Sequence, residues 1–113
     1  MKKKYYHNKL IRDKIPEKIK AAGGNYKTRI LGKAEFGKEL KKKLIEESKE
    51  LIDAPKEELL NELADVLELT KSIAAHYKIR FSKVERFQEE KKDKRGGFKK
   101  KLFLIWSTGK AGR

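Results

Sequence analysis

The residues best suited to chemistry in this sequence are carboxylates in residues 44–69, LIEESKELIDAPKEELLNELADVLEL. Glu47 and Glu50 are three residues apart, and so are Glu62 and Asp65. Residues three apart lie on one face of an α-helix, about one turn along. Two such pairs that met would repel each other unless a cation lay between them. Oxygen ligands without histidine or cysteine favour Mg²⁺ or Mn²⁺.

Two of these carboxylates are predicted to lie on apolar helix faces. Glu47 falls on the apolar stripe of a first long helix, and Glu62 on the apolar arc of a second. The stripe and the arc consist of Phe36, Leu40, Leu44 and Leu51, and of Leu59, Leu63, Val66 and Ile73. A carboxylate on an apolar face is costly unless it is paired or bound to a metal. The alternative, an ordinary solvated glutamate, fits Glu57, Glu58 and Glu68 better.

An antiparallel helix hairpin would bring the two carboxylate pairs together. Residues 34–53 predict the first long helix, and Pro55 suits the start of a second that runs to about Tyr77. The short turn DAPKE between them favours antiparallel neighbours. At about 1.5 Å of rise per residue, both pairs would then lie at similar heights, close to the turn.

The remaining segments complete a mainly α fold, a helical bundle built on that hairpin. IRDKIPEKIKAAGG predicts a short helix that ends at Gly23-Gly24, and SKVE at 82–85 predicts the start of a last helix. Residues 26–31 and 100–106 have strand-like composition, so a small two-stranded β pairing between them is expected.

Length and composition bound the class of protein. A chain of 113 residues suits one domain, expected over residues 1–106, with 107–113 as a disordered polar tail. The absence of cysteine excludes disulfides and thiolate metal sites. No apolar run approaches the ~20 residues of a membrane span, and no secretory signal opens the chain. A cytoplasmic protein without a membrane partner is expected.

The net charge of +14 is unevenly distributed. Residues 1–34 carry 11 Lys/Arg and 2 acids, and residues 77–113 carry 13 and 4. Residues 35–76 reverse the balance, with 7 Lys/Arg and 11 acids. A uniformly basic surface would indicate nucleic acid. An acidic centre between two basic flanks instead favours a cation site that faces a polyanionic ligand.

The motifs around these carboxylates resemble a known enzyme family. EESKE at 46–50 followed by ELAD at 62–65 resembles the EExxE…ExxD motif of the MazG-like, all-α nucleoside triphosphate pyrophosphohydrolases. NKLIRDKIPEKI at 8–19 and KKDKRGGF at 91–98 are similar to a small-protein branch of that superfamily, related to phosphoribosyl-ATP pyrophosphohydrolase. The resemblance covers residues 5–105. It implies hydrolysis of a nucleoside triphosphate, or a phosphoribosyl-ATP-like nucleotide, to the monophosphate and pyrophosphate.

The resemblance also implies roles for individual residues. Its metal ligands would be Glu47, Glu50, Glu62 and Asp65. The general base that accepts a proton from the attacking water would be Glu50 or Glu46, which matches the first position of the motif. The basic flanks would contact the phosphates. The candidates for these contacts are Lys91, Lys94, Arg95, Lys9, Arg12 and Lys14.

Ile45 and Ile52 lie opposite the main stripe of the first long helix, and a helix apolar on two sides is usually buried on two sides. A homodimer is therefore expected, as the resemblance also implies, and the choice between a dimer and a tetramer stays open. The resemblance further implies active sites that draw on two subunits. Two alternatives stay open. One is a basic helical protein that binds RNA or DNA and uses its carboxylates in ion pairs. The other is a family member that binds nucleotide and metal without turnover, although the intact motif counts against it.

Overall fold

The computed structural model describes residues 3–109 and consists of helices and irregular segments. The four α-helices are α1 (Ile15–Ala21), α2 (Lys33–Asp53), α3 (Leu59–His76) and α4 (Phe81–Arg95). A short 3₁₀ turn, Lys56–Glu58, lies between α2 and α3. The prediction of a mainly α fold is confirmed.

The ends of α2 and α4 agree with local sequence signals, whereas the start of α3 is shifted from its predicted position. α2 ends at Asp53 because Ala54 and Pro55 adopt extended backbone, with ψ of 135° and 163°. The next α-helix begins at Leu59, after the 3₁₀ turn, and not at Pro55. α4 ends before Gly96, whose φ of +84° is a conformation that glycine adopts without steric cost.

The predicted β pairing is not confirmed, because residues 26–31 and 100–106 contain no strand. Both segments are irregular, and their large apolar side chains lie mostly at the surface; Ile30 is fully exposed and Leu102 is 86% exposed. A strand-like composition describes side chains suited to a half-buried pleated surface. It does not supply the neighbouring strand that backbone hydrogen bonds need.

α2 and α3 pack against each other and hold the small core. Its buried residues include Leu40 on α2 and Leu69 and Ala74 on α3. Near the start of α2, the Phe36 ring meets the edge of the His76 ring at the end of α3, with centroids 5.2 Å apart. The contact joins the first turn of one helix to the last turn of the other.

Backbone contacts divide the chain into two compact units, one that ends at Arg80 and one that begins at Phe81. The first contains α1, α2 and α3, and the second contains α4 and the segment after it. A single domain over 1–106 stays a prediction. Of the predicted tail, residues 110–113 lie outside the described part of the chain.

No helix within residues 3–109 combines the length and the apolar character that crossing a bilayer requires.

Candidate metal centre

Three carboxylates from two helices converge at one point, which we call the acidic trio: Glu47 on α2, and Glu62 and Asp65 on α3. One oxygen from each lies within 4.8 Å of the others. Helical periodicity explains the convergence. Glu47 follows the buried Leu40 by two turns, and Glu62 precedes the buried Leu69 by two turns. Each glutamate therefore lies on the face by which its helix contacts the other.

Two oxygens of the acidic trio are buried without a hydrogen-bond partner. They are Oε2 of Glu47 and Oε2 of Glu62, and neither has a donor among the residues that the structure describes. The Glu47 side chain is deeply placed, since the residue is only 9% exposed. Buried carboxylate oxygens are normally satisfied, and leaving one unpaired costs on the order of 1–3 kcal/mol. A cation bound by the trio would compensate the negative charge that these carboxylates bring together.

The pKa of Glu47 is shifted by the same burial and by the neighbouring negative charges. Burial raises the pKa of Glu47 above its ordinary value, and the charge of the neighbouring Glu50 raises it further. The charge of Asp65 acts in the same direction, and the charge of Lys43 opposes it. The site therefore disfavours the ionised form of Glu47, which is the form that binds metal.

Glu50 and Glu46 occupy different positions around the acidic trio. Glu50 is exposed at the side of Glu47. Glu46, one residue before Glu47, lies outside the trio and pairs with two lysines: its Oε1 is 3.6 Å from Lys9 Nζ and 3.7 Å from Lys43 Nζ. Of the two predicted general bases, Glu50 is the one that adjoins the trio.

The segment before α1 places a positively charged side chain, that of Arg12, beside the trio. Arg12 donates a hydrogen bond from Nη2 to Oδ1 of Asp65 at 2.6 Å. Together with the Lys9–Glu46 pair, it anchors this segment to α2 and α3. Arg12 was predicted as a phosphate contact, but its bond to Asp65 was not anticipated. The two residues are 53 positions apart, and no local pattern links them.

The other predicted phosphate contacts are exposed. Lys14 lies at the N-cap of α1. Lys91, Lys94 and Arg95 lie in the last two turns of α4, in the unit that begins at Phe81. The ammonium of Lys91 is 5.3 Å from the centre of the Phe87 ring. Their role in phosphate binding stays a prediction.

Comparison with known proteins found no matching family model, no matching curated protein and no matching solved structure. The resemblance to the MazG-like superfamily therefore rests on the motifs alone, and membership stays a prediction. The acidic trio itself can hold a metal ion, because three converging carboxylates without nitrogen or sulfur ligands suit a hard cation.

The raised pKa of Glu47 predicts how stability depends on pH when no divalent cation is present. A carboxyl whose pKa is higher in the folded state lowers stability as pH rises through that pKa. Glu47→Gln removes this loss. The variant should melt above the wild type at neutral pH in a chelator, by about 4 °C if the gain is ~1 kcal/mol. The difference should shrink as pH falls below the pKa of Glu47.

Thermal melts from acidic to neutral pH measure this effect. Glu57→Gln, the same change at an exposed carboxylate of the 3₁₀ turn, is the matched control and should show no such pH-dependent gain in melting temperature. Saturating Mg²⁺ should reverse the order, because it stabilises the wild type by binding its folded state. A Glu47→Gln variant that is less stable than the wild type at every pH in chelator would contradict the prediction.

Proposed function

We propose that this protein is a Mg²⁺-dependent nucleotide pyrophosphohydrolase. It cleaves a nucleoside triphosphate, or a phosphoribosyl-ATP-like nucleotide, between the α and β phosphates to give the monophosphate and pyrophosphate. In this proposal, α2 and α3 form the antiparallel hairpin of a helical bundle, and the acidic trio forms the metal site, with Glu50 beside it. Mn²⁺ is the alternative cation.

The observation that carries the proposal is the pair of buried, partnerless oxygens within the acidic trio. A surface ion-pair network would place donors on these oxygens. A site that holds a divalent cation would instead present them unpaired to the ion. The family motif then supplies the reaction class, because three of its five acidic positions are the residues of the trio.

The chain's own residues supply the other needs of the reaction. When bound, Mg²⁺ would stabilise the charge that develops on the phosphate oxygens. Glu47, Glu62 and Asp65 would hold it, and Glu50, exposed beside Glu47, would accept a proton from the attacking water. Basic side chains would orient the phosphates, with candidates on the segment before α1 and on α4.

A pyrophosphate-release screen with Mg²⁺ over standard nucleotides, modified nucleotides and phosphoribosyl-ATP tests the proposal. We expect turnover of at least one substrate, and loss of turnover in a chelator. The nucleic-acid alternative predicts RNA or DNA binding that weakens steeply with salt, with no pyrophosphate released. The screen therefore separates the two functions directly.

A homodimer or tetramer is part of the proposal, and its interface is expected on the outer face of α2. Ile45 and Ile52 are 59% and 80% exposed there. We expect that replacing both with Glu gives monomers in sedimentation experiments, because buried apolar contacts between subunits would be exchanged for charges. Ile30→Glu makes the same chemical change at a fully exposed isoleucine outside α2 and should leave assembly intact. A wild type that is monomeric at micromolar concentration would show the idea to be wrong.

A further inference from the structure

Arg12 contacts the acidic trio through only one of its nitrogens. Its Nη2 donates to Asp65, and the Arg12 side chain has no other hydrogen-bond acceptor within residues 3–109. The chain offers a contrast in Arg29, which binds Glu35 with two parallel bonds, Nη1 to Oε1 at 2.9 Å and Nη2 to Oε2 at 2.6 Å. A guanidinium has five N–H donors. Most N–H donors of the Arg12 side chain therefore have no protein acceptor within residues 3–109 and are available to a ligand.

Its acceptor, Asp65, is also a member of the acidic trio, so Arg12 and a divalent cation would share one carboxylate. Arg12 does not satisfy the trio, because the buried oxygens of Glu47 and Glu62 remain without a donor. The Arg12 side chain is 60% exposed and that of Asp65 is 30% exposed. An exposed ion pair of this kind is weak enough to be exchanged.

We propose that Arg12 is a positioning residue that exchanges between Asp65 and a phosphate of the bound ligand. This inference rests on the proposed function and adds a link between metal binding and anion binding. Without a divalent cation, Arg12 neutralises Asp65. When a cation takes up the charge of Asp65, the guanidinium is released toward the polyanion, where it can donate two parallel bonds to phosphate oxygens.

The exchange has a thermodynamic signature. A residue that competes with the metal for Asp65 lowers metal affinity in the free protein. If the same residue binds the anion after release, it raises anion affinity when metal is present. The coupling between the two ligands is reciprocal by linkage. Removing Arg12 should therefore tighten metal binding and weaken anion binding, two changes of opposite sign from one substitution.

Metal affinity is measured by titrating Mn²⁺ into the full chain without nucleotide. We expect Arg12→Gln to bind Mn²⁺ about two- to fivefold more tightly than the wild type, since an exposed pair of this strength is lost. Lys43→Gln is the control for charge alone. The positive charge of Lys43 acts on Glu47 at a distance, and its ammonium forms an ion pair with Glu46, outside the trio. Its effect should be smaller. Arg29→Gln, which breaks a pair with Glu35, should change nothing.

Anion affinity is measured by calorimetry at saturating Mn²⁺, with a nucleoside triphosphate that carries a methylene bridge between its α and β phosphates. We expect Arg12→Gln to bind this analogue about tenfold more weakly, because a charge-assisted phosphate contact is lost. Arg12→Lys keeps the charge without the planar guanidinium. Its affinity for the analogue should lie between those of the wild type and Arg12→Gln. Circular dichroism confirms that each variant is folded.

The outcomes separate this inference from the proposed function. If wild type and Arg12→Gln bind Mn²⁺ equally, or if Lys43→Gln tightens binding as much, Arg12 does not compete for Asp65 and the exchange is refuted. Unchanged analogue affinity in Arg12→Gln refutes it too. In each case, wild-type Mn²⁺ binding and turnover would leave the proposed function standing. A wild type that binds no Mn²⁺ would overturn both.

Discussion

Glu62→Gln and Asp65→Asn should each abolish Mg²⁺-dependent hydrolysis while the helices remain folded. Each change removes one charged ligand from a trio whose oxygens lie within 4.8 Å of one another. A metal ion contributes several kcal/mol of transition-state stabilisation in such reactions. Loss of the ion should therefore lower kcat/KM on the order of a thousandfold. The fold should survive, because neutralising one of several mutually repelling carboxylates relieves the repulsion.

The measurement is pyrophosphate release at saturating Mg²⁺, with Mn²⁺ titration as a second readout. Glu68→Gln is the matched control, since Glu68 is an exposed carboxylate on the same helix, where it accepts a hydrogen bond from Ser72. It should keep wild-type activity. Undiminished hydrolysis in both Glu62→Gln and Asp65→Asn would show that the acidic trio is not the metal site.

Arg95→Ala should lower kcat/KM by about ten- to a hundredfold, since one bidentate phosphate contact is worth roughly 1.5–3 kcal/mol. In the proposed function, a triphosphate bound to Mg²⁺ keeps negative charge that the carboxylates cannot stabilise, and the motif resemblance gives Arg95 as a candidate to bind it. Arg95→Lys should lose less than Arg95→Ala, because lysine keeps the charge but not the planar fork. Lys91→Ala should cause a smaller loss, since the Lys91 ammonium also lies near the Phe87 ring.

Arg95 is the last residue of α4, where a positive charge also stabilises the helix end. Lys92→Ala, in the same turn and exposed, is the matched control for that effect. Thermal melts should show small and similar losses for both, whereas only Arg95→Ala should impair turnover. If Arg95→Ala hydrolyses nucleotides as well as the wild type, the phosphate site lies elsewhere, with Lys9, Arg12 and Lys14 as the next candidates.

Local periodicity was sufficient to predict the main helices and the unusual position of Glu47. The predicted range 34–53 differs from α2 by one residue at its start. Because Glu47 follows Leu40 by two helical turns, the two residues share one face of α2, and both are buried. Such statements depend only on the geometry of a single helix, which neighbouring residues in the chain determine.

Two predictions that depended on a neighbouring helix or strand differed from the structure. Leu63 was expected on the apolar arc of α3, yet it is 54% exposed, while Leu69 and Ala74 form the buried side. An apolar arc shows where a helix can pack, but the position of its neighbour decides which part is covered. Residues 26–31 and 100–106 failed as strands for a related reason, since a strand exists only with a partner beside it.

The sequence alone determined the main helical segments to within a few residues, the carboxylate pairs three residues apart, and the position of Glu47 and Glu62 on apolar helix faces. The convergence of the two carboxylate pairs was predicted, but only the tertiary structure decided that Glu47, Glu62 and Asp65 form the trio without Glu50, that Glu46 pairs with Lys9, and that Arg12 reaches Asp65. Helical periodicity relates residues within a turn or two. Contact between residues 53 positions apart depends on how separate segments pack, which no short-range pattern encodes.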